Sequence, residues 1–252
     1  MIRIRWSRFV RFTDNIFEAR DFQVSRFFCE TGKTIPVSSV DRLQYEREHV
    51  SRGINRLGGV DEAGRGPLAG PVVAAVIVMP ELWIEEGVPE ALRRLNDSKK
   101  LNAKVREELF EVIDLDKSIE YGIGVVDAPL IDEINILQAT YQAMNEALAK
   151  IAPPVQHALV DGRPVRSLSV SQTAIVKGDG KSYTIGAASI LAKVTRDRLM
   201  IEYDQKYPGY GFAGHKGYGT RAHLSAIEKL GPCPIHRMSF APLSNTQTEL
   251  FS

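Results

Sequence analysis

The alternation of apolar and polar positions predicts strands and helices in turn from about residue 41 to residue 230. Short runs rich in β-branched residues and bounded by glycine or proline predict strands at 54–61, 72–78, 119–126, 157–161 and 174–176. Apolar residues at helical spacing predict helices at 41–52, 101–113, 136–151, 182–203 and 220–230. Strands come early and helices late. We therefore expect an α/β protein with a mixed β-sheet flanked by helices and a C-terminal helical lobe.

Changes in this pattern predict the boundaries of the domains. Residues 1–40 lack sustained periodicity, so we expect a poorly ordered extension there. The main domain is predicted at 41–205, the helical lobe at 206–243 and a tail at 244–252. Asp41 and Ser98 are the predicted N-caps of the first two helices. The third opens at 132–135 and ends at Pro153.

One glycine-rich stretch, residues 58–71, carries two adjacent acids, Asp61 and Glu62. Neighbouring residues of a strand point to opposite faces, so the two carboxylates do not both fit a hydrophobic core. An unpaired buried carboxylate is very costly, and solvent, a basic partner or a metal ion must compensate it. Arg65, between Gly64 and Gly66, offers a planar fork for phosphate, and the glycines let the backbone come close. The ordinary alternative is a turn with solvated acids.

Four acids follow predicted strands or lie on a polar helix face: Asp61, Glu62, Asp161 and Asp197. Ligands of open α/β sheets bind at the C-terminal ends of strands. Carboxylates with few His or Cys neighbours suit Mg²⁺ or Mn²⁺, and two such ions are the usual means of phosphodiester hydrolysis. Taken singly, Asp161 is also typical of a turn, and Asp197 of an i,i+4 partner of Lys193. The metal hypothesis therefore depends on all four acids meeting in the fold.

Three other motifs have competing interpretations. Residues 64–69 fit the G-x-G-x-x-A form of a dinucleotide-binding turn, but that turn must open a helix, and here a β-branched run follows. Residues 180–182 resemble the end of a P-loop, although Ile175 occupies the position of its first glycine. Cys233 and His236 have metal-like spacing without the second pair that a structural zinc needs.

Basic and aromatic residues are concentrated toward the C-terminus. Residues 177–237 hold ten basic and five acidic side chains, a local charge of +5 that suits either a polyanion or solvated helix faces. Ser189, Lys193 and Asp197 are spaced four residues apart and share one helix face. The loop at 209–219 and its flanks carry four aromatic rings that predict either a packing surface or stacking on a sugar or base: Tyr207, Tyr210, Phe212 and Tyr218.

The composition excludes several classes of protein. The 252 residues carry a net charge of +1 and two cysteines, so a disulfide framework is excluded and a reducing compartment, the cytoplasm, is expected. No apolar run is long enough to span a membrane. The basic N-terminus lacks the apolar region of a secretory signal, while its arginines leave an organelle-targeting segment open.

Six segments closely resemble motifs of the ribonuclease HII family and follow that family's order. They are residues 60–72, 97–101, 158–162, 187–197, 215–220 and 236–240. The resemblance covers about residues 41–243 and implies a ribonuclease H-like fold with a C-terminal helical lobe. It implies an endonuclease that hydrolyses the RNA strand of RNA–DNA hybrids and incises 5′ of single ribonucleotides in duplex DNA, leaving a 3′-hydroxyl and a 5′-phosphate. The predicted protein acts as a monomer.

The resemblance also implies roles for individual residues. Asp61 would bridge two Mg²⁺ or Mn²⁺ ions, with Glu62 and Asp161 on one ion and Asp197 on the other. Gly64, Arg65 and Gly66 would read the ribose 2′-hydroxyl through backbone groups, because that hydroxyl distinguishes RNA from DNA. Tyr218 would stack on the following deoxyribose. Further polar residues would contact the backbone or orient the metal site: Ser98, Lys99, Asn135, Lys177, Ser189 and Lys193.

The C-terminal tail resembles the short peptide that docks on a bacterial sliding clamp, with Gln247, Leu250 and Phe251 as its anchors. An ordinary frayed terminus is the alternative. Two further functions stay open from the sequence. One is a non-catalytic hybrid-binding module, and the other is a dinucleotide-dependent oxidoreductase.

Overall fold

The structure, a computed structural model, describes residues 41–95 and 101–244. The predictions for residues 1–40, for Ser98 and Lys99, and for Gln247, Leu250 and Phe251 lie outside the described residues. The helices are α1 Gln44–Val50, α2 Glu81–Glu86, α3 Ala103–Leu115, α4 Ala128–Leu148, α5 Tyr183–Lys206, α6 Phe212–His215 and α7 Arg221–Leu230. The strands are β1 Leu57–Ala63, β2 Val72–Val78, β3 Glu120–Val126, β4 His157–Asp161 and β5 Gln172–Ile175. Short 3₁₀ turns occur at Glu90–Leu92 and Gly178–Gly180.

The five strands form one mixed sheet in the order β3-β2-β1-β4-β5. β1 pairs with β2 and β2 with β3 in antiparallel fashion, whereas β1 pairs with β4 and β4 with β5 in parallel. The parallel register sets Val60 beside Val160, so the residues that follow them are neighbours at one edge of the sheet. This arrangement confirms the predicted mixed sheet flanked by helices.

The unbroken apolar run of β2 is explained by helices on both faces of the sheet. Val73, Ala75 and Ile77 pack into a core shared with α3 and α5. The alternate residues of β2, with Ala143 among their partners on α4, pack into a second core on the opposite face. All seven β2 residues are buried, so strand alternation supplies both cores from one segment.

Helix α5 can pack closely on the sheet because β1 carries a glycine, Gly59, at the crossing point. A Cβ atom on Gly59 would overlap the main chain of Thr184 in the first turn of α5. Only a residue without a side chain allows this approach. The polar face of α5 is thereby held against the end of β1, where Asp61 lies.

Helix α1 is tied to the start of α5 by a buried carboxylate. The Oε1 atom of Glu46 accepts hydrogen bonds from Ser182 Oγ at 2.6 Å and from Thr184 Oγ1 at 2.9 Å and N at 3.2 Å. Glu46 is fully buried, and this burial raises the pKa of its carboxyl. An acid at this position also complements the partial positive charge of the helix N-terminus.

Some helix boundaries differ from the prediction for local reasons. Asn102, and not Ser98, caps α3, since its side chain accepts the Val105 N–H. α4 begins earlier than predicted, at the Asp127 cap, and kinks at Asn135. Asn135 has φ of 67° and its side chain caps the helical segment that follows. The short helices α2 and α6 were not predicted, because neither is long enough to show a period.

The C-terminal lobe packs around a separate aromatic cluster. Phe212 and Tyr210 stack at 5.2 Å between ring centroids, and Met200 and Ile235 join them in the lobe's core. Among the helices of the described ranges, none combines the length and apolar character that crossing a bilayer requires.

Candidate active site

A cleft of 520 Å³ opens at the C-terminal ends of β1 and β4. Its walls come from the glycine-rich turn after β1, from the polar face of α5, from the turn after β5 and from the loop before α7. The lining residues are Asp61, Glu62, Ala63, Gly64, Arg65, Gly66, Ile136, Asp161, Asp179, Ser189, Lys193, Arg196 and Tyr218. Nine of the predicted site residues therefore meet here although they are distant in sequence.

Asp61 lies at the bottom of the cleft and is only 5% exposed. Burial, and then the negative charges of Glu62 and Asp161, raise the pKa of the Asp61 carboxyl well above its usual value. The Asp61 carboxylate accepts hydrogen bonds from the Ser189 hydroxyl and from the Glu62 N–H, the latter at 2.7 Å, and these bonds lower its pKa. A buried carboxylate beside two others is an environment that a cation would stabilise.

The two other predicted acids of the strand ends flank Asp61. Asp161 ends β4 beside β1, and its Oδ1 accepts the Gly178 N–H at 2.6 Å. Glu62 lies on the more open side, where Arg65 Nη1 is 3.1 Å from its Oε1. The sheet thus brings three of the four predicted acids into one cluster.

The fourth acid of the cleft is Asp179, which the sequence analysis did not single out. Asp179 lies in the 3₁₀ turn that follows β5, is 8% exposed, and accepts the Gly180 N–H at 2.9 Å. Asp197 does not line the cleft, and its Oδ1 is 2.7 Å from Lys193 Nζ. The acidic turn after a short strand, at Lys177 to Gly180, was the available signal for Asp179.

The remaining predicted residues divide into two groups. Ser189 and Lys193 face the cleft from α5, and burial lowers the pKa of Lys193 while Asp197 opposes that change. Asn135 and Lys177 are exposed and do not line the cleft. Both have positive φ values, 67° and 58°, which non-glycine residues seldom adopt. The Asn135 side chain serves the helix cap already described.

The aromatic residues of the loop divide between the interior of the lobe and the cleft. Tyr210 and Phe212 are buried in the lobe, whereas Tyr218 is 48% exposed and lines the cleft. The Nδ1 atom of His223 lies 2.9 Å from the Tyr218 carbonyl oxygen, and burial lowers the pKa of His223 to about 4. A neutral, buried histidine therefore fixes the main chain beside the exposed ring.

The two glycines of the turn differ in whether the fold can accommodate a side chain in their place. Gly64 has φ of +94°, and a Cβ atom there would overlap the side chain of Arg196. Gly66 has ordinary φ, and a Cβ atom there would meet Tyr218 Cε1 at 3.8 Å, a normal contact. Gly64 is thus required by the fold of the turn, whereas the fold leaves room for a Cβ atom at Gly66.

This difference predicts unequal effects of two matched substitutions. Gly64→Ala should lower the free energy of unfolding by roughly 1–3 kcal/mol, because it combines backbone strain with overlap. Gly66→Ala should leave stability within about 0.5 kcal/mol and impair only what the cleft binds. Thermal denaturation of both variants measures the difference. Equal melting temperatures would contradict this account of Gly64.

The carboxylates of the cleft suit a hard cation, although in this structure they form hydrogen bonds and an ion pair with other groups of the protein. Within residues 41–95 and 101–244, no three His, Cys, Asp or Glu side chains are already arranged to hold a metal ion. Glu62 instead pairs with Arg65. Four acids, three of them around the buried carboxylate of Asp61, are nevertheless the oxygen-rich donor set that Mg²⁺ and Mn²⁺ prefer. The residues fit such ions once their side chains turn from these partners.

The competing interpretations of the other motifs are not supported by the fold. After Gly70 the chain enters β2, so residues 64–69 do not open a helix as a dinucleotide-binding turn must. The Cys233 N–H donates to His236 Nδ1 at 2.8 Å, and the pair shapes a loop. These findings leave the acidic cleft as the functional site.

Comparisons with known proteins identify the family of the chain. The family model described as Ribonuclease HII matches residues 58–243. Ribonuclease HII of Ruminiclostridium cellulolyticum is 56% identical over 198 residues, which are 79% of this chain and 74% of that protein.

Two solved structures share the fold. One is ribonuclease H2 from Pyrococcus horikoshii OT3, with a TM-score of 0.62, 29% identity and coverage of 78% of this chain and 99% of that one. The other is the PCNA:RNase HII complex from Archaeoglobus fulgidus, with a TM-score of 0.60, 27% identity and coverage of 73% and 95%. Together with the family match, they show that the chain belongs to the ribonuclease HII family, metal-dependent endonucleases that hydrolyse the RNA of RNA–DNA hybrids.

Proposed function

We propose that this chain also incises DNA duplexes on the 5′ side of single embedded ribonucleotides, leaving a 3′-hydroxyl and a 5′-phosphate. The observation that carries this proposal is the meeting of four acids with Gly64, Arg65, Gly66 and Tyr218 in one cleft. An acidic centre alone would serve any phosphodiester. The glycine turn and the exposed ring beside it supply the means to recognise a sugar.

The acids Asp61, Glu62, Asp161 and Asp179 would hold two Mg²⁺ or Mn²⁺ ions. When bound, such ions lower the pKa of an attacking water and stabilise the charge on the leaving oxygen. We assign the fourth position to Asp179 in preference to Asp197, because Asp179 lines the cleft and the Asp197 carboxylate pairs with Lys193. The assay below compares the two ions.

Basic and hydroxyl groups of the cleft would position the scissile strand. The Ser189 hydroxyl donates to Asp61 and holds that carboxylate in place. Lys193 and Arg65 both line the cleft and would offer positive charge to the oxygens of a phosphate. Both cations now pair with carboxylates, and a phosphate would compete for them.

The turn after β1 would read the ribose. Backbone N–H groups of Arg65 and Gly66 are hydrogen-bond donors, and the 2′-hydroxyl is the group that separates RNA from DNA at a junction. Tyr218 would place its ring against the next deoxyribose, since it is exposed and lies beside Gly66. Substrates of this kind place the protein in the removal of ribonucleotides from DNA, in the cytoplasm with the chromosome.

The test is cleavage of a labelled DNA duplex that holds one ribonucleotide. The duplex is incubated with Mg²⁺, with Mn²⁺ and with a chelator, beside an all-DNA duplex and a long RNA–DNA hybrid of the same sequence. We expect one cut on the 5′ side of the ribonucleotide, which is lost with the chelator, and no cut in the DNA control. If only the long hybrid is cut, the proposed incision at single embedded ribonucleotides is refuted.

We further propose that the tail binds a sliding clamp. The Archaeoglobus fulgidus relative was solved in a complex with PCNA. Residues 247–251 here carry the spacing of a clamp-docking peptide, with three anchors at Gln247, Leu250 and Phe251.

Deleting residues 247–252 should leave hydrolysis of the labelled duplex unchanged and weaken binding to a bacterial clamp at least tenfold, because the apolar anchors are lost. Surface plasmon resonance on immobilised clamp measures the affinity. Substitution of Ser252 alone is the matched control. Equal affinity of the full and shortened chains would contradict the docking role.

A further inference from the structure

Arg237 is a fully buried arginine outside the acidic cluster, and its guanidinium reaches the glycine turn from behind. Nη2 donates to the Gly64 carbonyl at 2.6 Å and Nη1 to the Arg65 carbonyl at 3.1 Å. Nε and Nη2 both donate to the Gly70 carbonyl, at 2.9 and 2.8 Å. All four of these hydrogen bonds go to main-chain carbonyl oxygens of the stretch between β1 and β2.

Burying the charged guanidinium of Arg237 costs a large desolvation free energy, which indicates that this side chain has a specific role in the structure. Burial and the nearby Arg196 guanidinium lower the pKa of Arg237 to about 9, and the Asp132 carboxylate opposes this change. Asp132 also accepts the Met238 N–H at 2.7 Å and the Ser239 N–H at 2.9 Å. The segment that carries Arg237 is therefore anchored on α4, independently of the glycine turn.

The hydrogen bonds of Arg237 fix the direction of two peptide groups. In a planar trans peptide, the carbonyl oxygen and the N–H of the next residue point to opposite sides. The carbonyls of Gly64 and Arg65 point to Arg237 in the interior, so the N–H groups of Arg65 and Gly66 point away from it. Gly64, Arg65 and Gly66 all line the cleft on that other side.

We infer that Arg237 is a positioning residue that determines the selectivity for a 2′-hydroxyl, by aiming the N–H groups of Arg65 and Gly66 into the cleft. The inference rests on the proposed reading of the ribose by this turn. Because both N–H groups belong to the main chain, their direction depends on the contacts that hold the two peptide groups in place. A planar fork with several donors suits this task, whereas a lysine offers a single point of contact.

Arg196 provides a contrast within the same region. It is equally buried and also donates to carbonyl oxygens, but to those of Pro71 at 2.9 Å, Ala69 at 3.0 Å and Lys216 at 3.0 Å. Arg196 thus joins the far end of the turn to the aromatic loop. Of these two buried arginines, only Arg237 donates hydrogen bonds to the two peptides that carry the donors.

The experiment measures binding of the full chain in an Asp61→Asn background, which prevents turnover during titration. Fluorescence anisotropy gives the Kd for a duplex with one ribonucleotide and for the same duplex in all-DNA form. The ratio of the two Kd values reports selectivity for the 2′-hydroxyl. Adding Arg237→Lys should reduce this ratio about fivefold or more, because hydrogen bonds to the ribose are lost while phosphate contacts remain.

A matched control loses similar bonds at a distance from the cleft. Arg56 donates to the Pro153 carbonyl and pairs with Glu120 through a fork at 2.9 Å, before the start of β1. Arg56→Lys should leave the ratio unchanged. Arg237→Gln, which keeps an amide donor without the charge, replaces Arg237→Lys should that variant not fold.

The outcomes separate this inference from the proposed function. A background protein that prefers the ribonucleotide duplex, with a ratio that falls only in the Arg237 variant, supports the inference. If the background protein has this preference but the Arg237 variant raises both Kd values by the same factor, the ratio stays unchanged. Arg237 then has only a structural role, and the inference is overturned. A background ratio near one would overturn the proposed reading of the ribose and the role of Arg237 with it.

Discussion

Asp61→Asn should reduce the rate of RNA hydrolysis by roughly a thousandfold or more while leaving binding of the hybrid intact. The substitution removes one carboxylate oxygen from the centre of the acidic cluster and changes little volume. Metal ions contribute several kcal/mol to such reactions, and each 1.4 kcal/mol is about tenfold in rate. Single-turnover cleavage of a labelled hybrid measures the rate, and anisotropy measures the binding.

The same variant should be more stable than the unaltered protein in metal-free buffer. Asp61 is buried beside the charges of Glu62 and Asp161, which disfavours its ionised form. A neutral amide removes that repulsion, and about 1 kcal/mol corresponds to roughly 2–4 °C in Tm for a chain of this size. Mg²⁺ should raise the Tm of the unaltered protein and leave that of Asp61→Asn in place.

Asp204→Asn, near the C-terminal end of α5, is the matched control for both measurements. It makes the same chemical change away from the cleft and should alter neither rate nor Tm beyond error. Activity of Asp61→Asn within about tenfold of the unaltered protein would remove Asp61 from the catalytic centre.

Asp179→Asn should reduce hydrolysis at least about a hundredfold, whereas Asp197→Asn should reduce it about tenfold or less. Asp179 shares the cleft with Asp61, and removing it takes away a donor to the cation. Asp197 acts on Lys193, which it holds at 2.7 Å, so its loss affects only how that cation is oriented. Cleavage rates at several Mg²⁺ concentrations compare the two variants.

The metal dependence adds a second distinction. For Asp179→Asn, the Mg²⁺ concentration that gives half of the maximal rate should rise, because a ligand is missing. For Asp197→Asn it should stay unchanged. The reverse pattern, with Asp197 controlling the response to Mg²⁺, would restore the assignment that the sequence resemblance implied.

Much of the sheet was predictable because its pattern is local. The β-branched run at 72–78 predicted strand β2, and in the fold Ala75 and Ala74 face different cores. Asp61 and Asp161 could be placed near each other once their strands were taken as neighbours, since acids at the ends of parallel strands meet at one edge.

The choice between Asp179 and Asp197 was not predictable from spacing. Ser189, Lys193 and Asp197 do follow one face of α5, as the i,i+4 pattern indicates. Each step of four residues also advances about 6 Å along the helix, so a shared face does not mean a shared cleft. Asp179 belongs to a short turn without any period, and only the fold brings it beside Asp161.

The roles of the buried arginines also could not be predicted from the sequence. Arg237 has no charge pattern that would connect it with Gly64, which precedes it by most of the chain. Its partners are main-chain carbonyls, and every residue type has one. Contacts of this kind carry no signal in sequence spacing, and they become visible only when the backbone is in place.

The buried carboxylate of Glu46 bears on where the smallest active chain begins. The family match starts at residue 58, after α1 has ended, yet Glu46 closes the first turn of the helix that carries Ser189. A chain trimmed to the matched residues would leave the hydroxyls of Ser182 and Thr184 without this acceptor. Protein engineers who shorten this enzyme should therefore keep α1, so that Glu46 stays in the chain.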